Sequence, residues 1–219
     1  MMEAMKAHMK REQNSKKENF AVLNQMAKKG EILFVGSSLM EQFPIQEILM
    51  NHDMHLCIYN RGIGGYTTED MLEAMEEQIF ALEPAKIFIN IGTNDLAAPG
   101  YTLEKLIGNY RKILMQIKER LPKTRVITMA YYPVNEVDKV PDNEWGKHMY
   151  DVRNNANIKL ANEGVCNLAK ELGYEYIDVN DGLTDDRGML KAEYTYEGLH
   201  MKGMAYEIVF QNMLKAGVL

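Results

Sequence analysis

Two serines, Ser37 and Ser38, follow directly on an apolar run and a glycine in "ILFVGSS". A serine hydroxyl attacks a carbonyl carbon only when a base takes its proton, and the side chain that titrates nearest neutral pH is histidine. His200, in "YEGLHMKG", is a candidate for that base. Glu197, three residues earlier, is a candidate for the carboxylate that orients the ring and stabilises its cation. Such chemistry also needs donors for the negative charge that grows on the carbonyl oxygen. Two stretches offer them: "NRGIGGYTT", which contains Gly65, and "INIGTNDL", which contains Asn94. Taken singly, each stretch is more often a turn or a cap than a site. Their weight depends on whether the fold brings them together.

Five short, nearly continuous apolar runs can do this: residues 32–35, 56–59, 87–91, 126–130 and 174–179. Runs without alternation are what strands buried on both faces look like. Segments of helical period lie between them, most clearly from Thr102, where Leu103, Leu106, Ile107, Tyr110, Ile113, Leu114 and Ile117 share one face before Pro122 stops the pattern. Weaker patterns cover about 68–82, 150–172 and 203–216, and a polar one occupies most of 3–29. Strands alternating with helices predict an α/β chain, a three-layer α/β/α sandwich with a five-stranded parallel sheet, in one domain over 1–219 that includes an N-terminal helical extension at 1–29. In such sheets ligands sit beyond the carboxyl ends of the strands. Ser38, Gly65, Asn94 and the Glu197–His200 stretch all fall at that rim.

At this point the chain resembles the SGNH or GDSL hydrolases, which carry a Ser, a Gly, an Asn and a His on four ordered blocks. "FVGSSLM" is similar to the nucleophile block, "NRGIGGYTT" to the glycine block, "INIGTNDL" to the asparagine block and "YEGLHMKG" to the D-x-x-H block. The wording is closest to the branch of platelet-activating-factor acetylhydrolase-like esterases. The resemblance implies a flavodoxin-like sheet and hydrolysis of a carboxylic ester with a short acyl group, without cofactor or metal. It also implies Ser38 as nucleophile, His200 as base, and an oxyanion hole of the Ser38 and Gly65 amides and the Asn94 side chain. The nucleophile elbow G-x-S-x-G of another hydrolase fold is absent from "GSSLM".

The chain departs from the pattern in three places. Ser37 stands where the family usually has Asp, and Tyr66 where an Asp often follows the glycines. Glu197 replaces the acidic Asp and is one bond longer, about 1.5 Å. These departures motivate a second reading, a catalytically impaired binding module of the same fold. A long rim loop, "YYPVNEVDKVPDNEWGKHMYDV", follows the fourth strand. Tyr66, with Tyr132 and Trp145 of this loop, are candidate substrate-binding residues.

Composition narrows the rest. A net charge of −6 disfavours a nucleic-acid surface dominated by phosphate contacts. The first thirty residues hold seven Lys or Arg against three Glu, interspersed, and read as a solvated helix face. No apolar stretch is long enough for a signal peptide or membrane span, so the expected location is cytoplasmic, with a small ester as partner, no nucleic acid, and a homodimer expected on family grounds alone. Cys57 and Cys166 have no CxxC spacing and read as buried thiols. His52 and His55 lie away from the rim and read as packing or solvated residues. No G-x-G-x-x-G or P-loop pattern supports nucleotide binding.

Overall fold

The computed structural model describes residues 2–219, without the side chains at 2, 144, 145 and 147. The apolar runs form β1 (Ile32–Gly36), β2 (Ile58–Asn60), β3 (Lys86–Asn90), β4 (Arg125–Met129) and β5 (Glu175–Ile177). All pair in parallel, in the order β2-β1-β3-β4-β5. Leu33, Phe34 and Val35 of β1 are fully buried, as continuous apolar runs require. The Phe34 ring lies between Phe43 and Phe88, with centroids 5.4 and 5.0 Å away. The edge strands β2 and β5 have only three residues each and start later than the apolar runs suggest. Cys57, just before β2, is exposed and Cys166 half-buried, so the expectation of buried thiols is corrected. An edge strand has a neighbour on one side only, which leaves the chain entering it open.

The helices are α1 (Met2–Asn24), α2 (Ser38–Glu41), α3 (Ile45–Asn51), α4 (Thr68–Leu72), α5 (Met75–Gln78), α6 (Leu103–Arg120), α7 (Glu144–Met149), α8 (Asn155–Leu172) and α9 (Gly203–Lys215). One layer contains α6 packed on α8, with Gly164 meeting Ile107. On the other side α3 and α9 pack together: His52 stacks on Phe210 at 5.1 Å and bonds Glu207 at 2.7 Å. Tyr206 of α9 donates to the carbonyl of Leu39 at 2.9 Å, which fastens the last helix beside Ser38.

Two helical expectations change. The 68–82 segment is α4, α5 and a 3-10 turn (Phe80–Leu82), and the interruption accompanies the burial of Gln78, whose amide donates to the Arg61 carbonyl at 2.7 Å. The 150–172 segment is helical only from Asn155, because the Asn154 side chain caps it by accepting from Asn157 N at 2.9 Å. Residues 150–153 are thereby left free to turn toward the rim. Helix α1 packs on α5, where Asn24 donates to the Glu77 carbonyl at 2.7 Å and accepts from Arg61 at 3.1 and 3.0 Å. No described helix is long and apolar enough to cross a membrane.

The sheet order sets the place of the site. From β1 the chain goes first to β2 on one side and then crosses to β3 on the other, so the direction of winding reverses between β1 and β3. That reversal opens a crevice at the carboxyl ends of the strands. Ser38 follows β1 and Asn94 follows β3, one on each side of it.

Candidate active site

Ser38 is the first residue of α2 and is 9% exposed. Its Oγ lies 3.0 Å from His200 Nε2 across 162 residues of sequence. Ser37 is buried, and its carbonyl accepts the amides of Met40 and Glu41 at 3.1 and 2.9 Å. Of the two serines, only Ser38 has its hydroxyl bonded to the imidazole.

The other ring nitrogen, His200 Nδ1, is hydrogen-bonded to Glu197 Oε1. Both residues ride one self-braced turn. Thr195 and Met201 form an antiparallel bridge, Thr195 Oγ1 donates to the His200 carbonyl at 2.8 Å, and Gly198 N donates to Thr195 Oγ1 at 2.9 Å. With the backbone folded back over three residues, the longer glutamate arm reaches the ring of its own turn. Burial pushes the Glu197 carboxyl up, but the hydrogen bond and charge of His200 with nearby amides outweigh it and hold the group below the usual carboxylate range. An ionised carboxylate on Nδ1 is what a ring needs to accept a proton at Nε2.

The donors converge from two further loops. In the glycine block, Gly62 N is taken by Asn60 Oδ1 at 2.9 Å, Ile63 N by Gly36 O at 3.1 Å, Gly64 N by Glu41 Oε2 at 2.6 Å and Tyr66 N by Ile63 O at 3.2 Å. Gly65 N donates to nothing among the described residues, and neither does Ser38 N. Gly65 has φ +77, a conformation that glycine adopts freely. A Cβ on its neighbour Gly64 would stand 3.8 Å from Ser38 Cβ, so this peptide borders the nucleophile position.

Asn94 Nδ2 donates to the Tyr66 carbonyl at 3.0 Å, while Asn94 Oδ1 accepts from Arg153 Nη2 at 3.2 Å. A carboxamide nitrogen has two hydrogens, so one remains for a ligand. Arg153 also donates from Nε to the Thr93 carbonyl at 3.1 Å. Burial lowers its pKa, with Tyr150 and Glu197 acting the other way. Three residues earlier, Tyr150 donates to the Glu197 carbonyl at 2.9 Å. Residues 150–153 therefore grip the asparagine block and the histidine turn at once.

The substrate-binding candidates fare differently. Tyr66 is buried and meets the site through its backbone carbonyl, with its phenol pushed up to about 12 by burial. Tyr132 is 1% exposed and belongs to the core, so its assignment to the cleft is corrected: an aromatic at a strand end packs inward when the sheet offers space. The side chain of Trp145 lies outside the described residues. The cleft beside His200 is lined instead by Gln42, Pro44, Glu47, Tyr196 and Glu197. Gln13, Glu41, Tyr150 and Arg153 are not among the candidate residues, because none of them falls within a recognisable catalytic block. A lone Arg directly before a helix cap, inside a rim loop, is the one signal that could have been followed.

The model of the GDSL-like Lipase/Acylhydrolase family matches residues 45–208, well over half of the chain. The chain belongs to that family. It is a hydrolase of the GDSL-like acylhydrolase kind, and its five-stranded parallel sheet with helices on both sides is that of GDSL-like structures. The platelet-activating factor acetylhydrolase IB subunit alpha1 of Bos taurus is 26% identical over 181 residues, 82% of this chain and 71% of the relative. A structure described as a platelet activating factor from Streptococcus pneumonia superposes with a TM-score of 0.86 at 28% identity, covering 98% of this chain and 97% of that one. A GDSL-like lipase from Bacteroides thetaiotaomicron shares the fold at TM-score 0.74 and 21% identity, over 91% of this chain and 96% of that one. Ser38 and α1 lie before the residues matched by the GDSL-like family model.

Proposed function

We propose that the protein is a serine esterase that cleaves a short-chain carboxylic ester through an acyl-enzyme. The observation that carries this reading is the 3.0 Å contact of Ser38 Oγ with a histidine whose other nitrogen is bonded to a carboxylate. In the first half-reaction Ser38 Oγ forms a bond to the ester carbonyl carbon and its proton passes to His200 Nε2. The carbonyl oxygen becomes an oxyanion, met by the Ser38 and Gly65 amides and the free N–H of Asn94. Collapse breaks the bond to the alkoxy group, which leaves with the proton from His200. A water then gives its proton to His200 and its oxygen to the acyl carbon, and the second collapse restores Ser38 and releases the acid. Each preplaced donor is worth roughly 3–4 kcal/mol in such a step.

The Glu197–His200 bond also weighs against the impaired module, because replacing Asp by Glu has not separated the acid from the ring. The short acyl group is supported by the name of the 26% identical relative, an acetylhydrolase.

The test compares 4-nitrophenyl acetate with the octanoate ester on wild type, Ser38→Ala and His200→Ala. A serine-directed phosphonate, located by peptide mass spectrometry, reports the nucleophile. Wild type turns over acetate faster than octanoate, and each variant loses about 10³-fold or more in kcat. Absence of both turnover and Ser38 labelling in wild type overturns the enzyme reading.

A further inference from the structure

Helix α1 is mostly exposed and basic, yet it buries one glutamine. Gln13 is 5% exposed, and its Nε2 donates to the Gly64 carbonyl at 2.8 Å. Burying an amide is costly unless it is hydrogen-bonded, and this bond reaches the peptide next to Ser38. In a trans peptide the carbonyl and the following N–H point in opposite directions in one plane. Holding Gly64 O on the α1 side therefore aims Gly65 N–H away from α1.

The need for such a hold follows from the residues. Gly64 and Gly65 both lack a Cβ, so the peptide between them can turn over at little steric cost. Turned over, it would present the Gly64 carbonyl where the amide now points. An oxyanion site would then meet an acceptor in place of a donor. Glu41 fixes the preceding amide, Gly64 N, at 2.6 Å, but that bond does not restrain the carbonyl.

We infer that Gln13 is a positioning residue that keeps the Gly64–Gly65 peptide in the donor orientation, making α1 a working part of the oxyanion hole. The inference rests on the esterase reading and on Gly65 N–H as an oxyanion donor. It concerns a helix that the family model, beginning at residue 45, does not include.

Three variants test it: Gln13→Glu, similar in shape but an acceptor when ionised; Gln13→Met, similar in length but apolar; and Asn14→Ala, an exposed neighbour on α1. Thermal unfolding and kcat and KM for 4-nitrophenyl acetate are measured on each. Both Gln13 variants are expected to remain folded with a lowered unfolding temperature, since a buried hydrogen bond is lost, and to lose kcat by about tenfold or more, a fraction of what deleting one donor costs, with KM nearly unchanged and Glu worse than Met in both respects. Asn14→Ala keeps wild-type rates. Folded Gln13 variants with kcat within about twofold of wild type overturn the inference. Amide hydrogen exchange at Gly65 in the wild type, with and without phosphonate on Ser38, tests the donor that Gln13 is inferred to hold and keeps the inference falsifiable even if a variant fails to fold. Slowed exchange in the adduct is expected, and unchanged exchange overturns the clamp while leaving Ser38 labelling intact. Failure of Ser38 to label is a different outcome that removes the esterase reading itself and this inference with it.

Discussion

Arg153 Nη2 donates to Asn94 Oδ1 at 3.2 Å from a residue only 8% exposed, and no carboxylate among the described residues pairs with it. A guanidinium has only donors, so it can face only the oxygen end of the amide and forces the NH₂ end to the opposite side. Arg153→Gln is expected to lower kcat about tenfold, less than the full loss of a donor. Arg153→Lys should not restore it, since an ammonium cannot span Thr93 O and Asn94 Oδ1 with a planar fork. In an Asn94→Ala background the Arg153→Gln effect on kcat should largely vanish, and simple additivity would argue against the coupling.

Glu197 offers a pH test with a defined sign. Its folded carboxyl titrates below the ordinary value, the burial that raises it being outweighed by His200 and backbone amides. A depressed folded value means that the stabilisation is fully present above the unfolded value, about 4.3, and is lost as pH falls through the folded one. The stability gap between wild type and Glu197→Gln is therefore expected to hold from neutrality down to about pH 4 and to close below it. A gap constant down to pH 3 in chemical denaturation would refute this. At neutral pH the same variant should lose kcat at least tenfold, about 1.4 kcal/mol.

Gly198 sits between the acid and the base with φ +95, and a Cβ there would collide with Tyr150 Oη and the Asn135 carbonyl. Gly198→Ala is expected to destabilise the protein by about 1–3 kcal/mol and to cut kcat, because both anchors of the histidine turn must move. Thermal melts and initial rates check it. Wild-type values for both would mean that the turn has room to spare.

Much of this architecture is legible in residue order. Continuous apolar runs such as Leu33–Val35 leave few alternatives to a doubly covered strand, and the Leu106–Ile117 face leaves few alternatives to a long helix. Ser38, Gly65, Asn94 and His200 stand out because each follows a strand or precedes the last helix. The supports of the site are invisible at that level. Gln13 meets Gly64 across 51 residues, Arg153 meets Asn94 across 59 and Tyr150 meets Glu197 across 47, and such pairings leave no period in the chain. Tyr132 illustrates a different limit, since an aromatic at the end of a strand reads equally well as core or as pocket wall.

The turn bearing Glu197 and His200 is closed on itself through Thr195, whereas Ser38 opens α2 just beyond the end of β1. Nucleophile and base thus meet at one seam, the Ser38–His200 contact, stitched nearby by Tyr206 reaching Leu39, while Tyr150 and Asn135 hold the turn from the other side. A slight withdrawal of α9 would open that seam with acid and base still joined and every helix intact. Turnover is therefore a finer gauge of how the last helix seats on the sheet than any bulk signal of folding, and a preparation can be fully structured and yet inert.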